Sequence, residues 1–206
     1  MDQGAGEART AAERMAETRT RLLEAVLESL AECGYAATST TEVARRSGLT
    51  RGAQLHHFGT KDQMMVAAVE YLEQRIREVD VEAALAHLAP GRERVLTALP
   101  ILSQLFSSTL ADAYVELWVA SRTHPELADA LRRTDVAARD AVRSLFGERY
   151  RDSAGTEFDA LIDLTMYAVR GMTLDAHLAT DGEQQDREQL ILGLAPYFES
   201  AMETER

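Results

Sequence analysis

The sequence predicts an all-α protein of about nine helices, with three N-terminal helices forming a helix-turn-helix unit and a larger helical remainder. Three observations predict this. Apolar residues recur at three- and four-residue spacing through most of the chain. No run alternates apolar and polar residues between hairpin-turn signals. Hydroxyl residues suited to capping helices come in close succession between residues 39 and 60.

After a polar, glycine-containing arm at 1–9, Thr10-Ala11-Ala12-Glu13 has the spacing of a capping box. Leu22, Leu23, Val26, Leu27 and Leu30 then form one apolar stripe that ends at Gly34. Ser39-Thr40-Thr41-Glu42 opens a short helix to about Ser47, and Thr50 opens another to about Phe58. Thr60-Lys61-Asp62-Gln63 opens a long helix, whose Met65, Ala68, Leu72, Ile76 and Val79 share a face before Pro90-Gly91 breaks the chain. Further helices are expected over about 91–107, 110–123, 125–147, 157–179 and 184–203. Pro100 and Pro196 each remove an amide donor, so the helices that contain them should kink or split there.

With 206 residues, one large domain or a small domain fused to a larger one can both be built. The expected divisions are an arm at 1–9, a helix-turn-helix unit at 10–62 and a larger unit at 63–206. Hydrophobic residues make up 46% and charged residues 27%, the proportions of a globular protein rather than a disordered or fibrous one. A single cysteine, Cys33, excludes an intramolecular disulfide and a multi-cysteine zinc site, and packing is its expected role. No apolar run approaches the roughly 18 to 20 residues needed to cross a bilayer, and the N-terminus lacks a signal-peptide pattern, so no membrane association and a cytoplasmic location are expected.

The formal net charge is -12, but its distribution is uneven. Residues 35–61 carry Arg45, Arg46, Arg51 and Lys61 against one acid, Glu42. A local basic face of this kind can dock on phosphates while the acidic remainder is held away from them. In the Thr50–Phe58 segment, Arg51 and Gln54 are the candidate base readers, because arginine pairs bidentately with guanine and glutamine with adenine in the major groove. Gly52 and Ala53 are small enough to let the backbone lie close to DNA, and Leu55 and Phe58 are expected to point into the core. Thr40, Thr41, Thr50, His56, His57 and Lys61 are suited to phosphate contact. Arg45 and Arg46 are left outside this set as surface residues. A metal site at His56-His57 is not expected, since neighbours on a helix project about 100° apart and no carboxylate or cysteine lies three or four positions away. No cofactor motif is present.

The stretch from Thr18 to Met64, with its "GYAATSTTEVARRSGLTRG" and "HHFGTK" segments, resembles the N-terminal DNA-binding domain of the TetR family of bacterial transcriptional regulators. The resemblance covers about a quarter of the chain. It implies a homodimer, usually a repressor on a near-palindromic operator, whose divergent C-terminal domain binds a small-molecule effector and thereby spreads the two reading heads. Many members carry an aromatic residue where this chain has Leu55 and a small or apolar one where it has Gln54. The change at Leu55 removes an expected phosphate contact, and an operator of the chain's own is expected.

On the family architecture, helices within about 91–179 enclose the effector. Leu102, Leu105, Phe106, Tyr114, Trp118, Met166, Tyr167 and Arg170 are the candidate lining, being on or near apolar stripes yet including polar-tipped aromatics and one cation. Arg170 can pair with an anionic effector group or, more simply, with Asp163 or Asp175. The 157–179 segment is apolar on more than one face, and the last helix repeats Leu190, Leu194, Tyr197 and Ala201 on one side. Such helices need partners on both sides, which the family resemblance supplies as a four-helix dimer interface, with Gly171 and Gly193 permitting close approach. An enzyme inside the C-terminal helices finds little support, since His87, His124 and His177 lie far apart and no motif joins a nucleophile to a base. A constitutive DNA-binding regulator or adaptor without an effector is the alternative.

Overall fold

The computed structural model describes residues 10–77, 85, 87–89, 92–105, 108–146, 156–176, 178 and 189–204. Among these the chain is helical, with α1 (Ala11–Ala37), α2 (Thr40–Ser47), α3 (Arg51–Phe58), α4 (Lys61–Arg77), α5 (Arg92–Leu105), α6 (Thr109–Ala120), α7 (Pro125–Leu145), α8 (Glu157–Ala176) and α9 (Ala195–Thr204). No strand occurs among the described residues. The arm at 1–9, Val79, Phe106 and His177 lie outside them, as do the side chains of Ile76, Leu102 and Leu105.

Local chemistry accounts for most of the boundaries. Thr10 and Glu13 form a reciprocal capping box at the start of α1, with Glu13 N–H donating to Thr10 Oγ1 at 3.2 Å and Thr10 N–H to Glu13 Oε2 at 2.6 Å. Gly34 takes a φ of 78°, so regular α-helix ends there and a single turn carries the chain to Thr38. Ser39 and Thr50 accept the N–H of Glu42 and Ala53, at 3.1 and 3.2 Å, and so cap α2 and α3. Thr60 and Gln63 cap α4 reciprocally. Gly48 closes α2 in the left-handed region at φ 66°, where a Cβ would be disfavoured. That turn sets α3 across α2.

The two internal prolines differ in effect. Pro100 lies within α5, which runs on through it as one helical segment from Arg92 to Leu105. The last helix does divide: residues 189–192 are helical, 193–194 form a turn, and α9 restarts at Ala195 with Pro196 in its first turn. A proline is accommodated at that position because its missing N–H would have had no partner within the helix.

Two hydrophobic cores result. The first joins the helix-turn-helix to the helices behind it: Leu22, Leu30, Val43, Phe58, Met64, Met65 and Leu72 pack with Ala113, Tyr114 and Leu117 of α6 and Leu127 and Leu131 of α7. Each fully buried large side chain here is worth about 1.5–3 kcal/mol relative to exposure. The second core gathers Val95 and Leu99 of α5, Phe146, Phe158, Ile162 and Met166, with Phe198 of α9. Phe146 and Phe198 stack at 4.7 Å and Phe158 meets both edge-on at 5.5 Å. The first core therefore links the reading helix, which packs on α2 and α4, to α6 and α7 by way of α1 and α4.

Candidate nucleic-acid interface

The reading helix α3 is held by its buried face. Phe58 is buried, Arg19 of α1 lies 4.9 Å from its ring centroid, and Gln54 sits one turn earlier on the same face. Gln54 is 1% exposed, and its Nε2 donates to Met64 Sδ at 3.6 Å, a weak acceptor. This corrects the expectation that Gln54 reads bases, since its amide is spent inside the core between α3 and α4. The same rotation of about 100° corrects Leu55, which is 59% exposed instead of packed beside Phe58. The outward surface of α3 is thus made by Arg51, Gly52, Leu55 and His56, all exposed.

Charge on this head is sorted by pairing. Arg45 and Arg46 converge on Glu42, at 2.7 and 3.1 Å, and Arg46 also reaches Glu32 at 2.7 Å. Hydrogen bonds from Arg45 above all hold the Glu42 carboxyl at about 2, well below the usual carboxylate range. Arg51 has no ion-pair partner among the described residues and extends from the first turn of α3. Its guanidinium is free to meet an external acceptor. Cys33 is exposed, not packed, and its Sγ lies 3.5 Å from Arg46 Nη2. The helix α1 turns that position outward because Leu23, Val26, Leu27 and Leu30 occupy its buried face.

The expected phosphate-binding residues fall into two groups. Thr41, Thr50 and His56 are exposed and Thr40 half-buried, around the start of α2 and along α3. The Thr50 oxygen accepts from Ala53 N–H, which leaves its own O–H free to donate outward. His57 is half-buried, and burial, with His56 and Arg19 close by, pushes its pKa down. Lys61 is more committed: its ammonium donates to Tyr35 O at 2.8 Å and lies 4.4 Å from the Tyr35 ring centroid. Burial pushes its pKa down as well. Only donors not spent on Tyr35 remain for an external oxygen.

Tyr35 also ties the head to the rest of the protein. Its N–H donates to Glu116 Oε2 of α6 at 2.8 Å, and its ring packs against His124 at 4.9 Å. A second tie runs from α7 to α4, where the Thr134 hydroxyl donates to Glu73 Oε2 at 3.1 Å. A shift of α6 or α7 therefore acts directly on the C-terminal end of α1 and on α4.

Next to Thr134 lies a buried polar cluster that sequence reasoning finds only in part. Arg170 is 4% exposed and pairs with Asp135 through Nη2, which also donates to Tyr114 Oη at 3.1 Å. Its partner is a carboxylate, as expected, but that of Asp135 on α7 in place of Asp163 or Asp175. Asp163 instead takes Arg139 at 2.5 Å, and Arg139 bridges back to Asp135 at 2.7 Å. The Arg170 guanidinium lies 5.6, 5.7 and 6.0 Å from the ring centroids of Tyr114, Trp118 and Tyr167. Burial pushes the Tyr114 phenol up to about 12. The cluster gathers the buried Tyr114 and Arg170 with Trp118 and Tyr167, which are exposed at its edge, while Met166 belongs to the second core.

A capped three-helix head whose outer helix carries an arginine with no ion-pair partner among the described residues, fastened to a helical body, defines a DNA-binding protein of the helix-turn-helix class. Residues 22–68 match the model for bacterial regulatory proteins of the tetR family. The HTH-type transcriptional regulator CymR of Pseudomonas putida is 31% identical over 181 residues, covering 87% of this chain and 89% of that protein. Among solved structures, a TetR-family regulator from Rhodococcus sp. superposes with a TM-score of 0.72 at 18% identity, over 89% of this chain and 99% of that one. A transcriptional regulator from Saccharomonospora viridis in complex with choline does so with a TM-score of 0.69 at 18% identity, over 87% and 95%. The chain belongs to the TetR family of transcriptional regulators.

Among the described residues no helix is long and apolar enough to cross a membrane.

Proposed function

We propose that the protein is a dimeric, cytoplasmic repressor that leaves a near-palindromic operator when a small-molecule effector binds. In this reading residues 10–62 form the reading head and 63–206 the effector-binding and dimerisation domain. The observation that carries it is the outer face of α3, where Arg51, unpaired among the described residues, projects beside Gly52 from a strongly acidic chain. Arg51 reads a base, and Thr40, Thr41, Thr50, His56 and His57, with the remaining donors of Lys61, grip phosphates on either side. Sequencing duplexes retained by the purified protein from a randomised pool tests this. Inverted repeats of one half-site are expected, and a pool with no two-fold symmetry overturns the reading.

Dimerisation is assigned to α8 and the last helical segment. Leu164, Tyr167 and Leu174 are exposed large side chains along one stripe of α8, and Leu178 just beyond it and Leu190 and Tyr197 of the final segment are exposed as well. Gly171 lies in the middle of the α8 stripe, and a Cβ there would meet nothing within 4 Å. That open spot suits close approach of a partner helix. Gly193 differs, since a Cβ would come within 3.1 Å of Leu190 O in its own turn. Gly171→Trp is expected to leave the protomer folded and shift sedimentation from dimer to monomer. An unchanged dimer would move the interface elsewhere.

The effector is assigned to the region of Tyr114, Trp118, Tyr167 and Arg170, with Met166, Leu102, Leu105 and Phe106 completing the proposed lining. The choline complex of the Saccharomonospora viridis regulator supports a small-molecule site in this fold. One observation favours the second reading, a constitutive regulator: the Arg170 guanidinium already occupies the space among three rings.

A further inference from the structure

We propose that Leu55 is a specificity-determining residue that reads a thymine by its C5-methyl group. The inference rests on α3 entering the major groove, as proposed above. Three observations carry it. Leu55 is 59% exposed on a helix only eight residues long, while Gln54 and Phe58 hold the opposite face in the core. It stands one helical turn after Arg51, so the two side chains share the outward surface and would face neighbouring base pairs in a groove. Gly52, three positions earlier on that surface, has no side chain, and a Cβ there would meet only Thr50 Oγ1 at 3.8 Å. The helix can therefore approach the groove closely, with Leu55 as its apolar projection.

The partner is set by the chemistry of the groove. Its floor is lined with hydrogen-bond donors and acceptors, and the thymine methyl is its apolar feature. A leucine pressed against a polar base edge would desolvate a group it cannot satisfy, whereas against a methyl it buries apolar surface on both sides. Leu55 thus selects thymine by contact and disfavours cytosine, whose exocyclic amine would lose its water.

The test uses the full-length dimer and the tightest duplex recovered from a randomised pool. Each thymine is replaced in turn by uracil, which removes the methyl and keeps the pairing. Wild-type affinity is expected to fall about fourfold per half-site at one thymine position, and about fifteenfold when both half-sites are changed. Leu55→Ala should bind the thymine and uracil duplexes equally. Uracil without effect at every position, a half-site lacking thymine, or a uracil penalty that persists unchanged in Leu55→Ala would each overturn the proposal. If the wild-type protein retains no preferred duplex at all, the operator reading itself fails. A melting temperature of Leu55→Ala equal to wild type shows that the variant is folded, as expected for an exposed side chain.

Discussion

Arg51→Ala is expected to weaken operator binding by about 2–6 kcal/mol, because one bidentate base contact is worth about 1–3 kcal/mol and the proposed dimer would present it twice. That is a loss of about thirtyfold or more. The loss should concentrate at one base pair of each half-site, so that variants of that pair, which wild type rejects, bind Arg51→Ala as well as the parent duplex does. Competition titrations against single-base variants measure this. If Arg51→Ala instead lowered affinity for all duplexes equally and shallowed the salt dependence, Arg51 would be holding a phosphate. The expectation is specific to Arg51 because Arg45 and Arg46 are already neutralised by Glu42 and Glu32.

Arg170→Ala should cost about 1–3 kcal/mol of folding stability, since one oxygen of the largely buried Asp135 and the Tyr114 hydroxyl lose a donor while Arg139 still pairs with Asp135. Urea denaturation of the variant reads the loss directly. Asp135→Ala should cost more, about 3–5 kcal/mol, because it strands the buried Arg170 guanidinium, and the double variant less than the sum, because removing both charges leaves neither stranded. Additive losses would mean that the two side chains do not depend on each other. The cluster also borders the tie between Thr134 and Glu73, so its disruption is placed to loosen α7 against α4. Effector binding, where it draws on Arg170, would act on the same contact.

The helices and the place of the reading head are legible in the sequence because their signals are local. Capping hydroxyls at Thr10, Ser39, Thr50 and Thr60 act on amides three residues away, and each of them does so. The division of the last helix before Pro196 likewise comes from one missing donor. The two residues misplaced on α3 show where such reasoning stops. An eight-residue helix offers two turns of pattern, and with Gln54 on the buried face and Leu55 on the exposed one, hydrophobicity points the wrong way round. The family resemblance carries a hint of this, since apolar residues stand at the Gln54 position in many members and an aromatic at that of Leu55.

The sequence by itself determined that this is a helical DNA-binding regulator with its cations gathered over residues 35–61, because periodicity, caps and charge are properties of neighbouring residues. Only the tertiary structure decided which face of α3 is turned outward and which carboxylate meets Arg170. Those choices depend on how α3 rotates to seat Phe58 and Gln54 against Met64, and on α7 bringing Asp135 to a residue 35 positions further along the chain.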